Sequence, residues 1–316
     1  MRGMETTDSY LYTYTYSREE ESLCKLELRS LFGGDVPEHL FKSDRQIPVG
    51  RSPFIRERID ILYEGESLAE ISGALKEIQL GDQTFKIICV KQSQTEEGTI
   101  AYNERRMIER ELGQSIDAEA DVHHPDRLFG VAAAGGRWYF GTYERSEAVW
   151  LRHIQKPRQY STALSTKVAR ALVNIAVPAP AGMSVIDPCC GIGNVLVEAL
   201  SMGIPITGRD MNPLAVTGAR ENIAHFGFDA PVFIGPIEEA TGRYDVAIID
   251  LPYNLYTHIT VKEQISIIEH AKRIADKCVF VTIDPIDEYV RNAGLEIIDR
   301  GEAIKGKFSR EILVCK

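Results

Sequence analysis

The spacing of apolar residues changes character along this chain. Residues 10–16, YLYTYTY, alternate aromatic and small polar side chains, the period of a half-buried strand. Such a row more often packs its tyrosines on a helix than stacks them on bases. Residues 19–31 place Leu23, Leu26, Leu28 and Leu31 on a fair helical face, ended by Gly33-Gly34. Residues 51–62 set Arg51, Arg56 and Arg58 around Phe54, Ile55 and Ile59, the pattern of a solvated strand edge or of a small basic surface. A helix capped by Ser67 is expected over 67–78, a strand over 85–90, and a helix over 102–112 that stops at Gly113. Residues 128–134 and 137–142 make a hairpin through Gly135-Gly136.

Beyond a charged connector, 149–158, the pattern becomes regular. Residues 161–177 carry one apolar stripe, Ala163, Val168, Ala169, Leu172 and Ile175, and Pro178 and Pro180 stop that helix. Strands at 183–186, 205–208, 231–234, 245–249 and 278–283 then alternate with helices, of which 213–226 starts on a proline. Residues 295–304 and 308–314, joined across Gly306, close the chain as an antiparallel hairpin. Alternating strand and helix imply an α/β domain with a mainly parallel sheet.

Candidate chemistry gathers in that second half. Residues 185–200, VIDPCCGIGNVLVEAL, run from a short strand ending at Asp187, through a turn with Gly191 and Gly193, into a helix. A glycine turn at a helix N-terminus brings free N–H groups towards a ligand without a Cβ in the way. A G-x-G alone equally fits an ordinary strand-to-helix turn. Asp210 lies about 20 positions on, at the end of the next strand, the spacing of a carboxylate that accepts from two ribose hydroxyls. The strand at 245–249 ends in DLPYN, residues 250–254. These three stretches, in this order, resemble the class I, Rossmann-like S-adenosylmethionine-dependent methyltransferases, and DLPYN resembles their D-P-P-Y amino-methylating motif. The incomplete G-x-G-x-x-G pattern argues against a nicotinamide enzyme.

The resemblance implies S-adenosylmethionine as cofactor, held by Asp187, Pro188, Cys189, Gly191, Gly193 and Asn194 in the first loop and by Asp210, Met211 and Asn212 after the second strand. It implies catalysis by residues 250–253. Asp250 and the Leu251 carbonyl accept hydrogen bonds from an exocyclic amine, Pro252 fixes the backbone, and Tyr253 offers a stacking face. Asp250 also borders the cofactor. This sequence departs from the pattern twice. Leu251 stands where the motif has its first proline, and Gly235-Pro236 stand where an acidic residue often meets the adenine, leaving the apolar side of Ile237 for that task.

Upstream, KPRQYSTALSTKVARALVNIA, residues 156–176, is similar to the segment before the glycine motif in tRNA guanosine-N2 methyltransferases that carry a THUMP domain. That similarity adds Tyr160, Ser161 and Thr162 to the cofactor pocket. The strand, the helix ERRMIERELGQSI, the HHPD turn and the WYFG hairpin resemble the THUMP domain itself, which implies binding to the acceptor end of tRNA. Arg105, Arg106 and Arg110 lie at helical spacing and either meet RNA or pair with Glu104, Glu109 and Glu111. The expected organisation is an α+β, ferredoxin-like subdomain over 1–66, a THUMP-like RNA-binding domain over 67–150, a linker and leading helix over 151–182, and the methyltransferase domain over 183–316.

Charge weighs against that partner: 36 basic and 46 acidic side chains give −10, where phosphate binding wants a basic footprint. A local cationic patch can coexist with an acidic total. Six cysteines without C-x-x-C or His/Cys spacing argue against zinc, and the adjacent Cys189 and Cys190 read as buried turn residues. No apolar run approaches the roughly 18 residues of a membrane span, and the polar, aromatic N-terminal region lacks a signal segment, so a cytoplasmic protein is expected. The competing functions are an adenine or protein amino-methyltransferase, and a tRNA-binding protein that has lost catalysis. The THUMP-like segment favours RNA over DNA or protein. The intact Asp187, Gly191, Gly193, Asp210 and Asp250 favour an enzyme. No cysteine in DLPYN is placed for cytosine-C5 chemistry.

Overall fold

Local sequence signals settle most of the elements in the computed structural model, which describes residues 9–37, 39–95, 98–252, 259–306 and 308–316. In chain order they are β1 (Tyr10–Tyr14), α1 (Glu21–Phe32), β2 (Leu40–Ser43), β3 (Ile55–Gly65), α2 (Leu68–Leu75), β4 (Phe85–Cys89), β5 (Gln94–Thr95), β6 (Gly98–Thr99), α3 (Tyr102–Gly113), β7 (Arg127–Ala134) and β8 (Arg137–Arg145). There follow α4 (Thr166–Ala176), β9 (Val185–Asp187), α5 (Asn194–Ser201), β10 (Ile206–Asp210), α6 (Pro213–His225), β11 (Val232–Ile234), β12 (Tyr244–Asp250), α7 (Val261–Ile274), β13 (Ala275–Thr282), α8 (Asp287–Asn292), β14 (Ile297–Lys305) and β15 (Phe308–Cys315). Among the described residues no helix is long and apolar enough to cross a membrane.

The chain divides into two compact units. The first comprises Met1–Thr15, Val36–Gly50 and Phe54–Glu147. Its six-stranded sheet runs β2-β1-β3-β8-β7-β4. The boundary expected at 66/67 does not separate compact units, because β3 pairs with β1 on one side and β8 on the other. Gly141 allows the second pairing: a Cβ there would lie 1.9 Å from the Asp60 carbonyl oxygen. Helices α2 and α3 bury Ile71, Leu75, Ile108 and Leu112 against Phe85, Phe129, Val131 and Phe140. Tyr12 and Tyr14 are fully buried and satisfy their hydroxyls on the carbonyls of Arg45 and Pro37, so this strand is core. Arg58, expected on a solvated edge, is instead buried in the centre of the sheet. There it bonds Asp60 at 2.5 Å and Glu144 at 2.9 Å.

The second unit comprises Tyr16–Asp35, Arg51–Pro53 and Ala148–Lys316. Its sheet runs β11-β10-β9-β12-β13-β15-β14, parallel except for β15, which is antiparallel to both of its neighbours. This is the expected helix-covered α/β sheet with a closing hairpin. Helix α1, expected with the N-terminal subdomain, packs instead on α4 and β14. Arg29 forks onto Asp299 (3.1 and 2.8 Å), and a Cβ at Gly301 would meet Leu26 at 2.9 Å. Helix α4 starts later than its apolar stripe suggested, because Ser165 caps it by accepting from the Val168 N–H.

A buried polar network fastens this unit. Glu27 of α1 accepts from Asn174 at 2.7 Å and from Ser52 at 2.5 Å. Arg51 donates to Asn174 and to the carbonyls of Val177 and Pro178. Arg170 donates to the Arg51 carbonyl and, at 2.7 Å, to Glu198, whose other oxygen meets the His153 ring 2.7 Å away. Arg51, expected on a strand edge, is thus a buried strut.

Candidate active site

Three of the parallel strands end on an aspartate: β9 on Asp187, β10 on Asp210 and β12 on Asp250. They adjoin one another in the order β10-β9-β12, where the sheet's strand order reverses and ligands settle outside the strands' carboxyl ends. Asp187 is buried, and its carboxyl is pushed well above the ordinary range by lost hydration and by the nearby charges of Asp250 and Asp210.

The glycine turn is built from its backbone. Gly191 and Gly193 both lie at positive φ, +51° and +79°, and Gly193 is the N-cap of α5. A Cβ on Gly193 would press on Ala219 at 3.1 Å, whereas the space beside Gly191 is open. Asp210 braces this loop, accepting from the Gly191 N–H with one oxygen and from the Asn212 N–H with the other, both at 2.8 Å. Gly208, just before it, keeps β10 close to α5, since a Cβ would meet Leu196 at 2.6 Å. Burial holds the Cys189 and Cys190 thiols neutral, far from thiolate chemistry.

Asp250 is the most exceptional group. Its Oδ1 is buried and has no hydrogen-bond partner among the described residues, and burial raises its pKa to about 7 against the opposing charge of Arg310. The next residue answers the question posed by the missing proline. Leu251 donates its N–H to the Val281 carbonyl at 2.9 Å and buries its side chain, at 1% exposed. A proline there would lack that bond, so backbone order comes from pairing and packing instead of from a ring. Pro252 is exposed beside it, and Tyr253 lies outside the described residues.

Other expected site residues divide. Pro188 and Cys189 lie in the glycine turn, and Met211 is exposed beside the Asp210 brace. Tyr160, exposed, and Ser161 and Thr162 fall in the segment before α4, where the Thr162 carbonyl accepts from Arg310 at 3.0 Å. Asn212 caps α6, accepting from the Leu214 N–H, and Asn194 ties α5 to the Leu164 carbonyl, leaving its own Oδ1 buried without a partner among the described residues. Ile237 packs into the core at 3% exposed, while Phe233 and Ile234 are the apolar side chains that β11 presents outward. Arg310 was absent from the sequence expectations. Its signal was readable: Phe308, Arg310, Ile312 and Val314 share one face of β15, a single charge in an apolar row.

The first unit offers a separate feature, a cleft of about 720 Å³. Lys86, Lys91, Arg105, Arg106 and Arg145 line it together with Tyr102, which is exposed and has the Arg105 guanidinium 5.8 Å from its ring centre. Arg106 also pairs with Glu109 at 2.6 Å. Arg110 lies instead in a neighbouring groove that Arg106 also borders.

Residues 153–280 match the family model UPF0020, described as an RMKL-like methyltransferase domain. The tRNA (guanine(10)-N2)-dimethyltransferase of Methanothermobacter thermautotrophicus is 34% identical over 107 residues, which is 33% of this chain and 32% of the relative. The enzyme of the same name from Pyrococcus abyssi is 33% identical over 167 residues, 49% of this chain and 50% of the relative. The chain therefore spans between a third and a half of the length of these curated relatives. The crystal structure of TrmN from Thermus thermophilus aligns over 98% of this chain and 99% of that one, at 16% identity and a TM-score of 0.48. The three strand-end aspartates lie within the matched stretch, so the candidate site falls in the part of the chain that is similar to a methyltransferase domain.

Proposed function

We propose that this chain is an S-adenosylmethionine-dependent methyltransferase acting on the exocyclic N2 of a guanosine in tRNA. The observation that carries the reading is the buried Oδ1 of Asp250, at the end of β12 beside the glycine loop, which has no partner among the described residues. The curated relatives, both named for tRNA guanine-N2 methylation, support the choice of substrate. The residues present fit the cofactor: the open face of Gly191 admits it, and each Asp210 oxygen that braces the loop retains a lone pair for a ribose hydroxyl. Bound S-adenosylmethionine supplies an electrophilic methyl group. Asp250 accepts from one N–H of the guanine amine and the Leu251 carbonyl accepts from the other. These bonds localise the nitrogen lone pair for attack. With the cofactor bound, its methyl group would pass to this nitrogen, and Asp250 or water would take up the amine proton. Tyr253 supplies a stacking face for the flipped base, so Tyr253→Ala raises KM as well as lowering kcat.

The first unit, with its THUMP-like order of elements, serves as the RNA-docking part of the chain. Its cationic cleft supplies the basic footprint that a net charge of −10 conceals. A tRNA substrate also fits a cytoplasmic site of action. The test is methyl transfer to unmodified tRNA, followed by mass spectrometry of its nucleosides. N2-methylguanosine is expected, and N6-methyladenosine or a methylated protein would move the assignment to another amine. Charge reversal at Lys86, Arg105 and Arg106 is expected to weaken tRNA binding and flatten its salt dependence. Binding that is indifferent to salt would rule out the docking role.

A further inference from the structure

We propose that Arg310 is a positioning residue that holds Asp250 in its charged, hydrogen-bond-accepting form when the target base closes the site. The inference rests on the amine-methylating reading above. Strand register places the two groups together. Asp250 pairs with Val281, and Val281 with Ile312. Paired residues point to the same face of a sheet, and so do residues two apart along a strand. Asp250, Val281, Ile312 and Arg310 therefore share one face, with Arg310 at the carboxyl edge where β12 ends. Two strand spacings, roughly 10 Å, and a two-residue step along β15, roughly 7 Å, separate the backbones of Asp250 and Arg310 by about 12 Å, a gap that the long arginine side chain and the aspartate carboxyl close in large part.

Arg310 is also held in place. It is only 8% exposed, its Nη2 donates to the Thr162 carbonyl at 3.0 Å, and its guanidinium lies 4.7 Å from the centre of the Phe308 ring. A lysine or arginine on a sheet face ordinarily carries its charge out to water. This one is clamped between a strand and the segment before α4. Two opposed influences act on the Asp250 carboxyl: burial disfavours its charged form and Arg310 favours it from β15. Asp187 at the end of β9, whose own carboxyl burial pushes well above the ordinary range, and the neutral Cys189 thiol stand nearby, with Asp210 beyond. A base entering the site removes more water, which disfavours the carboxylate further. The clamped guanidinium opposes that loss.

The experiment titrates Asp250 in the full-length protein without RNA, following its protonated carboxyl stretch by infrared difference spectroscopy, with Asp250→Asn identifying the band. Arg310→Gln keeps a donor for the Thr162 carbonyl but no charge, while Arg310→Lys keeps both. Arg310→Gln is expected to raise the midpoint from about 7 by at least about one pH unit. Arg310→Lys should leave it near the original value. In methyl-transfer assays, the acid limb of kcat should move with the midpoint, lowering the rate about tenfold on that limb and restoring it at high pH. If Arg310→Gln does not fold, Phe308→Leu, which loosens the charge without removing it, is expected to raise the midpoint by a smaller step. An unchanged midpoint, or equal shifts in the Gln and Lys variants, overturns the proposal. Failure of the substrate assignment would look different, since wild-type protein would then make no N2-methylguanosine while the midpoint still moved.

Discussion

Two carboxylates of the second unit with buried oxygens, Glu27 and Asp250, make an instructive pair. Burial raises both to a pKa of about 7. Glu27 has a partner on each oxygen, Asn174 and Ser52, whereas Asp250 has a buried oxygen with none among the described residues. Titration behaviour alone would rank them equal as functional candidates. The hydrogen-bond inventory separates them: a completed network specifies structure, and a missing partner marks a place where something else is expected to bind. Glu198 extends the first class, with the His153 ring on one oxygen and Arg170 on the other.

Breaking the completed network is expected to have the largest effect. Arg170→Met strips Glu198 of its cation inside the unit, which costs about 3–5 kcal/mol of stability. Urea unfolding measures that loss, and the fraction that stays folded should bind S-adenosylmethionine normally. A change below about 1 kcal/mol would place Glu198 among carboxylates that do not need their partners. Asp250→Ala should leave folding intact and cut kcat by about 10²–10³, with cofactor affinity nearly unchanged. Wild-type turnover in that variant would end the amine-activation role. Asp210→Ala is intermediate, since it removes both the brace on the Gly191 N–H and the acceptor for the cofactor. Calorimetry should show binding weakened by about 1.5–3 kcal/mol.

A pH-dependent effect has the opposite sign. An ordinary Asp loses its proton near 3.8, but folded Asp250 keeps it to about 7. The stability this group contributes is therefore complete below pH 3.8 and is lost as the pH climbs through 7. Asp250→Asn should thus gain stability over wild type at pH 8 and gain next to nothing near pH 4, seen as a pH-dependent difference in Tm. Equal melting at both pH values would mean that Asp250 has a partner in solution.

The sheet, the glycine turn and the strand-end aspartates were legible because each has a local signature: a short apolar run, a turn needing positive φ, an acidic residue at a fixed interval. Other features depend on distant parts of the chain. Nothing within residues 19–31 says that Leu26 will meet Gly301, and nothing in the arginine pattern of 51–62 says that Arg51 will end on the carbonyls after α4. Ile237 packs into the core from the short helical turn after β11, a contact that its position in the sequence did not show. Leu251 shows the converse. It stands where the motif has a proline, and the Val281 carbonyl that orders its backbone instead lies on the neighbouring strand.

The placement of α1 bears on how the protein is made. Arg29 leaves the ribosome 270 residues before Asp299, the partner it forks onto. Until β14 and β15 emerge, the helix must wait with an apolar face uncovered while the strands around it in sequence assemble into another sheet. Contacts this far apart slow folding and expose surface to aggregation. A fragment starting at residue 148 would meet the same problem in reverse, synthesised without the helix that covers part of its own sheet.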